Sequence, residues 1–435
     1  MALLEGSKTS KFEIKFIMPE VIDDTAVHLG EVDIDLDVQE ILLAASQHDQ
    51  PKLRQLLRTQ STLPDGANVK DSETGFSPLH AAIAACEPDT ETLGTNGALI
   101  SDSNPNDLDA ETVKSAVETV KFLLQEGAIW NDLDAKNETP GCIARRIGAL
   151  ELYELIVDAG VRAELLLNRL DAYEELSDDD DEEEEAEVET ETAPELIDAS
   201  AEATTETTTT TTPANPEVSN SQYLESRLNI SSDRILDADQ NGVMMRWESD
   251  IMRKSATALL PTPGLKVLNI GHGMGIVDGF FQEQGPAVHH IVEAHEEVVT
   301  EMKRRGWDTK PGVVIHQGRW QDILPGLVAA GETFDAIYYD TFAESYSDFR
   351  DFFSEQVIGL LEQDGRWGFF NGMGADRQIS YDVYQKVAEM DLFEAGFDVQ
   401  WEEIAVPKLD GEWEGVRRAY WVVDHYRLPL CKFMD

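Results

Sequence analysis

The sequence predicts two unlike halves, a front half of paired α-helices and a back half built on a mostly parallel α/β sheet. Three observations carry this. Before residue 170, apolar residues recur at three- and four-residue spacing, the period of one helix face. After residue 265, short apolar runs alternate with helix-length segments, which implies βαβ units covered on both faces. Between them, residues 171–220 hold 19 Asp and Glu and no Lys or Arg. Such a run repels itself and offers little to bury, so about 175–218 is expected to be a disordered linker. It reads either as a solvated spacer or as a binding tail for a basic partner. The expected divisions are an extension at 1–36, helices at 37–170, the linker at 171–220 and the α/β domain at 221–435.

Charge narrows the partners. The 435 residues carry 34 Lys and Arg against 85 Asp and Glu, a formal charge of −51. Residues 1–170 contribute −16, the linker −19 and residues 221–435 another −16. A phosphate-backbone binder needs a concentrated basic face, and no long stretch supplies one. Direct nucleic-acid binding is therefore not expected, whereas a cationic substrate suits the field. Cys86, Cys142 and Cys431 are odd in number and widely spaced, suggesting neither a disulfide framework nor a zinc site. The first residues do not resemble a secretory signal, and no apolar run approaches the ~20 residues of a membrane span. A cytoplasmic protein with no membrane contact is expected, with the nucleus as a second compartment.

In the front half, Val38–Ser46 and Pro51–Arg58 have helical periodicity. Ser77-Pro78-Leu79-His80-Ala81-Ala82 follows, then Ala116–Ala128 with a Gly-ended turn, and Thr139-Pro140 repeats the Ser77-Pro78 placement. Leu152–Gly160 closes the last pair. With an acidic insertion at about 87–110, the stretch 37–165 resembles two or three degenerate ankyrin repeats. The resemblance implies a protein-recognition surface, although packing against the rest of the chain is an equal alternative. His80 is expected to stabilise a repeat rather than to bind metal.

In the back half the expected strands are 266–271, 290–294, 313–318, 334–340 and 366–371, with helices at about 273–284, 296–305, 321–330 and 345–363. Phe397–Val406 and Tyr420–Tyr426 are expected to form a terminal hairpin, and Asp239–Val243 a turn before a helix. The order resembles the Rossmann-like class I methyltransferases with their seven-stranded sheet.

The first strand ends in Gly271-His272-Gly273-Met274-Gly275-Ile276-Val277, and Glu293 lies eighteen residues past Gly275. Glycines let a backbone turn sharply against a ligand, and an acid at the next strand end can accept ribose hydroxyls. The pattern suits a dinucleotide or S-adenosyl-L-methionine. G-x-G-x-G in place of G-x-G-x-x-G favours the methyl donor.

Flanking residues sharpen this. Val243-Met244-Met245-Arg246-Trp247-Glu248-Ser249-Asp250-Ile251-Met252, the glycine loop, Gly318-Arg319-Trp320-Gln321 and Tyr339-Asp340-Thr341 occur in order. They resemble the guanidinoacetate methyltransferase pattern V-M-E-R-W-E-x-P-x-M, G-x-G-M, G-x-W-E, Y-D-T. Joined to ankyrin-like helices, the domain resembles the type IV fungal protein-arginine N-methyltransferases, which modify the internal δ nitrogen. The resemblance implies S-adenosyl-L-methionine contacts from Met244, Met252, the loop Gly271–Val277, Glu293-Ala294-His295, Trp320-Gln321, Asp340 and Tyr223, and no metal. It also implies a basic protein substrate, with a ribosomal protein as one candidate. Met245 stands where the pattern has an acid, Asp250 where it has proline, and Gln321 where it has Glu.

A guanidinium is planar, cationic and matched to carboxylate forks, and its nitrogens are poor nucleophiles while the charge is delocalised. A site that methylates one must localise the charge and accept a proton, which two carboxylates can do. Glu248 and Asp340 are the expected catalytic pair. Their ordinary alternatives are a surface helix acid and a loop cap, and Trp247 and Phe342 read as core or as substrate walls. The paired glutamates and T-H-W segment of ω-directed arginine methyltransferases are missing. A small-molecule guanidino methyltransferase and an ankyrin scaffold with an inactive domain are the competing readings.

Overall fold

The computed structural model describes residues 29–59, 63–87, 108–174 and 218–434. Most of the expected extension, the acidic insertion and the linker lie outside these residues. Six helices come first: α1 (Leu29–Ser46), α2 (Gln50–Arg54), α3 (Pro78–Ala84), α4 (Ala110–Gln125), α5 (Pro140–Arg146) and α6 (Leu150–Glu174). Each of α3 and α5 starts with proline behind a hydroxyl N-cap, Ser77 or Thr139. Proline suits a first turn because the missing N–H would lack a helical partner anyway. His80 completes the α3 cap through Nδ1, at 2.8 Å from Ser77 Oγ. Its Nε2 lies 3.1 Å from the Glu138 carbonyl just before α5, tying the two helix starts together.

After α7 (Asn220–Glu225) comes a small antiparallel sheet, β1 (Asn229–Ile230), β2 (Arg234–Leu236) and β3 (Gly242–Met245). Sequence periodicity did not foresee it. Asp239–Val243 turns from β2 into β3 rather than leading directly into a helix. A 3-10 turn, Arg246–Glu248, then starts α8 (Ser249–Leu259). The alternation follows as expected: β4 (Lys266–Ile270), α9 (Ile276–Gln284), β5 (Val288–Glu293), α10 (Glu296–Arg304), β6 (Val313–Gln317), α11 (Trp320–Ala329), β7 (Phe334–Tyr339). The expected helix 345–363 is broken into α12 (Tyr346–Asp351), a π-helical turn (Phe352–Val357) and α13 (Ile358–Leu360). β8 (Leu361–Phe369) therefore starts earlier than predicted, before α14 (Gln378–Glu394) and β9 (Phe397–Ala405). The last strand, β10 (His425–Phe433), corrects the expected Tyr420–Tyr426 strand. Tyr420 stays in the connecting segment 406–424, since nine residues of β10 pair along the whole of β9.

The large sheet has the order β6-β5-β4-β7-β8-β10-β9. Its first five strands are parallel and β10 is antiparallel to both neighbours. Adjacent β4 and β7 are not consecutive in sequence, so their carboxyl ends diverge into a crevice.

The helical front half is not free of the sheet domain. One continuous apolar cluster runs from Leu53 and Leu123 through Ile156 to Val383, Trp367 and Cys431. Helix α14 lies between the halves, and α6 packs along it. Tyr153 donates to Asp382 at 2.6 Å, Tyr384 to buried Glu164 at 3.2 Å, and Arg350 to the Asn168 carbonyl at 2.9 Å. Backbones approach closely here: a Cβ on Gly160 would meet Val383 at 2.8 Å and the Trp130 ring at 3.0 Å. Gly160→Val is therefore expected to destabilise the full chain by about 1–3 kcal/mol through overpacking. Denaturant unfolding reads this, and an unchanged midpoint would show that the two halves are not packed through Gly160.

Candidate active site

Two clefts open at the carboxyl ends of the parallel strands and share a wall at Asp340. The smaller spans about 580 Å³, open solvent at its mouth included, and is lined by Tyr223, Met244, Gly271, Gly273, Glu293, Ala294 and Trp320 among others. The larger, about 1020 Å³, extends from Glu248 and Tyr420 past Asp340 to Tyr346, Tyr384 and Ala388.

Glycine is required where β4 ends. Gly271 has φ 89°, and a Cβ there would lie 1.9 Å from the Asp340 carbonyl oxygen. The Asp340 amide in turn donates to the Ile270 carbonyl at 2.9 Å. Only a residue without a side chain lets these strand ends meet. Glu293 then gathers the loop: one carboxylate oxygen accepts from the amides of His272 (2.8 Å) and Gly273 (3.3 Å), the other from His295 (2.7 Å). A carboxylate has roughly four lone-pair sites, so accepting capacity remains for hydroxyls in the cleft.

The other loop residues divide between wall and support. His272 reaches the cleft region by its backbone, while its buried ring turns to Asp278, Nδ1 to Oδ2 at 2.6 Å. His289 Nε2 meets the second Asp278 oxygen at 2.9 Å. Gly275, φ 75°, leaves room for the His272 ring, which a Cβ would meet at 2.7 Å. The Met274 amide donates to the Met244 sulfur at 3.2 Å. Met252 and Val277 are buried in the apolar cluster behind the loop, with Ile276 packed against it. His295 caps α10, accepting from the Glu297 amide, and packs on Tyr223 at 5.0 Å between ring centres. Both polar side-chain atoms of Gln321 are buried without a hydrogen-bond partner.

These features fit S-adenosyl-L-methionine. Glu293 has spare acceptor sites for ribose, the Gln321 amide is orphaned beside Trp320, and Gly271 and Gly273 bring bare backbone to the cleft. Sequence reasoning missed Glu344, which lines both clefts and accepts from Trp320 Nε1 (3.0 Å), Thr341 Oγ1 (2.8 Å) and the Tyr339 hydroxyl. Its position four residues past Asp340 was the available signal. Tyr384 and Tyr420 of the larger cleft were also missed.

The two expected catalytic acids meet in the larger cleft. Glu248 is 4% exposed, not a surface acid. Burial pushes its carboxyl well above the usual range and the nearby Asp340 charge adds to this, against hydrogen bonds from Tyr420 and the Met245 backbone. Asp340 Oδ2 is buried with no partner. Burial, then the charges of Asp278 and Glu293, push Asp340 up to about 7. Two carboxyls raised in this way, with one Asp340 oxygen left without a partner, favour a cationic, hydrogen-donating ligand.

Fold and site together define a class I S-adenosylmethionine-dependent methyltransferase. Residues 219–412 match the guanidinoacetate N-methyltransferase family. The chain is 69% identical to protein arginine N-methyltransferase 2 of Aspergillus fumigatus, over 92% of this chain and 97% of that one. It is 46% identical to the protein of that name from Neurospora crassa, over 95% and 99% of the two chains. The chain belongs to the protein arginine N-methyltransferase 2 family. Similar solved structures include an S-adenosylmethionine-dependent methyltransferase from Mesorhizobium loti, 14% identical over 43% of this chain and 98% of that one, with a TM-score of 0.32.

The Asp278 cluster carries a pH prediction. Full burial raises this carboxyl, but the His272 and His289 contacts outweigh it and hold it down at about 2. A depressed acid stabilises the fold above its unfolded value, near 4, and loses that contribution as pH falls towards 2. Asp278→Asn is expected to lower the melting temperature at pH 7, with the gap to wild type narrowing between about pH 4 and 2. A gap independent of pH would refute the assignment.

Proposed function

We propose that this chain transfers a methyl group from S-adenosyl-L-methionine to an arginine side chain of a protein. The observation that carries the reading is Asp340, which lines both clefts and shares the larger one with Glu248, near enough for its charge to act on that carboxyl. The small cleft would hold the donor through Glu293, Trp320, Gln321, Met244 and the glycine turn. S-adenosyl-L-methionine supplies an electrophilic methyl on a sulfonium. The chain's own residues do the rest. Glu248 and Asp340 bind the guanidinium as a cation, which offsets their mutual repulsion and favours their ionised forms. Gripped at two edges, the guanidinium charge is drawn towards the bound nitrogens, leaving lone-pair density on the nitrogen to be methylated. The proton it loses passes to a carboxylate oxygen of the pair.

Finer features belong to the same proposal. The δ nitrogen as acceptor follows from resemblance to the type IV enzymes, as does a basic protein substrate with a ribosomal protein as one candidate. Cysteine use supports work in the cytoplasm, with the nucleus as a second compartment. The helices resembling ankyrin repeats would offer a recognition surface on the face turned away from α14.

Labelled methyl donor and a fungal lysate, followed by acid hydrolysis, should yield methylarginine in protein, with δ and ω products separated by fragmentation in mass spectrometry. Label in free guanidinoacetate and none in protein would select the small-molecule alternative. Glu248→Gln is expected to slow transfer by roughly 10²–10⁴-fold while donor affinity, read by calorimetry, stays within twofold. Because Glu248 and Asp340 must both be ionised to take a cation, and both carboxyls are raised, Asp340 to about 7, kcat/KM should rise with pH across the neutral range. A profile flat from pH 5 to 9 would refute that role.

A further inference from the structure

Segment 406–424 has no regular strand or helix, yet it carries one residue onto the catalytic acid. The Tyr420 hydroxyl is hydrogen-bonded to Glu248 Oε1 and lies 3.2 Å from Trp247 Nε1. An indole N–H can only donate, so the hydroxyl accepts from Trp247 and its single proton is directed to Glu248. The ring itself is fixed. It lies over Gly242, where a Cβ would meet it at 2.8 Å, and the Trp413 ring abuts it edge-on with centres 4.9 Å apart. The segment is pinned across the β2–β3 turn by the Arg417 amide on the Gln240 carbonyl (2.8 Å) and by Arg234 Nη1 on the Glu414 carbonyl (2.9 Å).

We propose that Tyr420 is a positioning residue for methyl transfer, holding the Glu248 carboxylate in the orientation that grips the guanidinium. The inference rests on the catalytic reading of Glu248 given above. Glutamate is a long side chain with three rotatable bonds, and on the wall of a cleft of this size its carboxylate has room for more than one orientation. A fixed donor removes that freedom before substrate arrives, and preorganisation of this kind lowers the barrier without further rearrangement. Donation to the ionised form also favours the carboxylate over the acid. The other groups acting on Glu248 are the Met245 backbone, which also favours its charge, Asp340 just past β7, which disfavours it, and the neutral phenols of Tyr338 and Tyr426. Tyr420 and the Met245 backbone therefore work together against burial and the Asp340 charge.

The test compares full-length wild type, Tyr420→Phe and Tyr420→Ala. Tyr420→Phe keeps the ring and removes the hydrogen bond. A bond to a charged acceptor contributes roughly 1.5–3 kcal/mol, so initial rates of labelled methyl transfer to a fungal lysate should fall about 10–100-fold. Donor affinity by calorimetry should stay within twofold. The acid limb of the rate profile should move to higher pH, because the acid form of Glu248 gains. A crystal structure of Tyr420→Phe should show the Glu248 carboxylate turned away from its wild-type position. That measurement needs no turnover, so it separates this proposal from the catalytic reading, which fails on its own if wild type makes no methylarginine. If Tyr420→Phe keeps the wild-type rate, acid limb and Glu248 position while Tyr420→Ala loses activity, Tyr420 acts by packing alone and the proposal is overturned.

Discussion

The site is organised around two carboxyl groups, buried Glu248 and half-buried Asp340 with one oxygen out of water, within reach of each other's charge. Removing an unpaired carboxylate from water costs several kcal/mol, and a second beside it adds repulsion. Without a cation the pair relieves this by holding protons, which is why both carboxyls titrate high. A guanidinium supplies positive charge and planar donors together, and so answers both the lost hydration and the repulsion. Asp278 is the contrast. Buried more completely than Asp340, it is held ionised by His272 and His289, so its charge persists beneath the glycine loop and adds to the field that keeps Asp340 high. One domain thus contains buried acids in opposite states, separated only by what each is allowed to touch.

That arrangement needs a rigid enclosure, and the front helices contribute to it. Helix α14 presents Tyr384 and Ala388 to the larger cleft and Val383 and Asp382 to the front half. Glu164 of α6 bonds the Tyr384 hydroxyl, and burial pushes this carboxyl up to about 7. The wall of the larger cleft is therefore backed by a helix whose Cα positions lie more than two hundred residues earlier in the chain. The front half reads as part of the enclosure as well as a candidate surface for a substrate protein.

The charge of −51 divides accordingly. Of it, −19 falls on residues 171–220, and charge of one sign sets a long-range field that salt screens. Among the described residues, Glu248, Asp278 and Glu293 act at short range in the site, and burial rather than residue type sets them apart. The surface ion pairs between α6 and α14, Arg169 with Glu394 and Lys386 with Glu154, are exposed and add little.

Sequence alone determined the parallel strands β4 to β7, the helices between them and the residues gathered at their ends, because apolar periodicity and glycine at a strand end act locally. Motif order located Glu248 and Asp340. It could not show that Glu248 is buried, that the His272 ring turns away from the cleft, or that 345–363 breaks into three short pieces. Those outcomes depend on neighbours distant in the chain. Tyr420 meets Glu248 across 172 residues and Tyr384 meets Glu164 across 220, and no spacing rule relates such pairs. Tertiary structure decided which acids lose water and which groups answer them, because desolvation is a property of the packed neighbourhood and is written in no single segment of the chain.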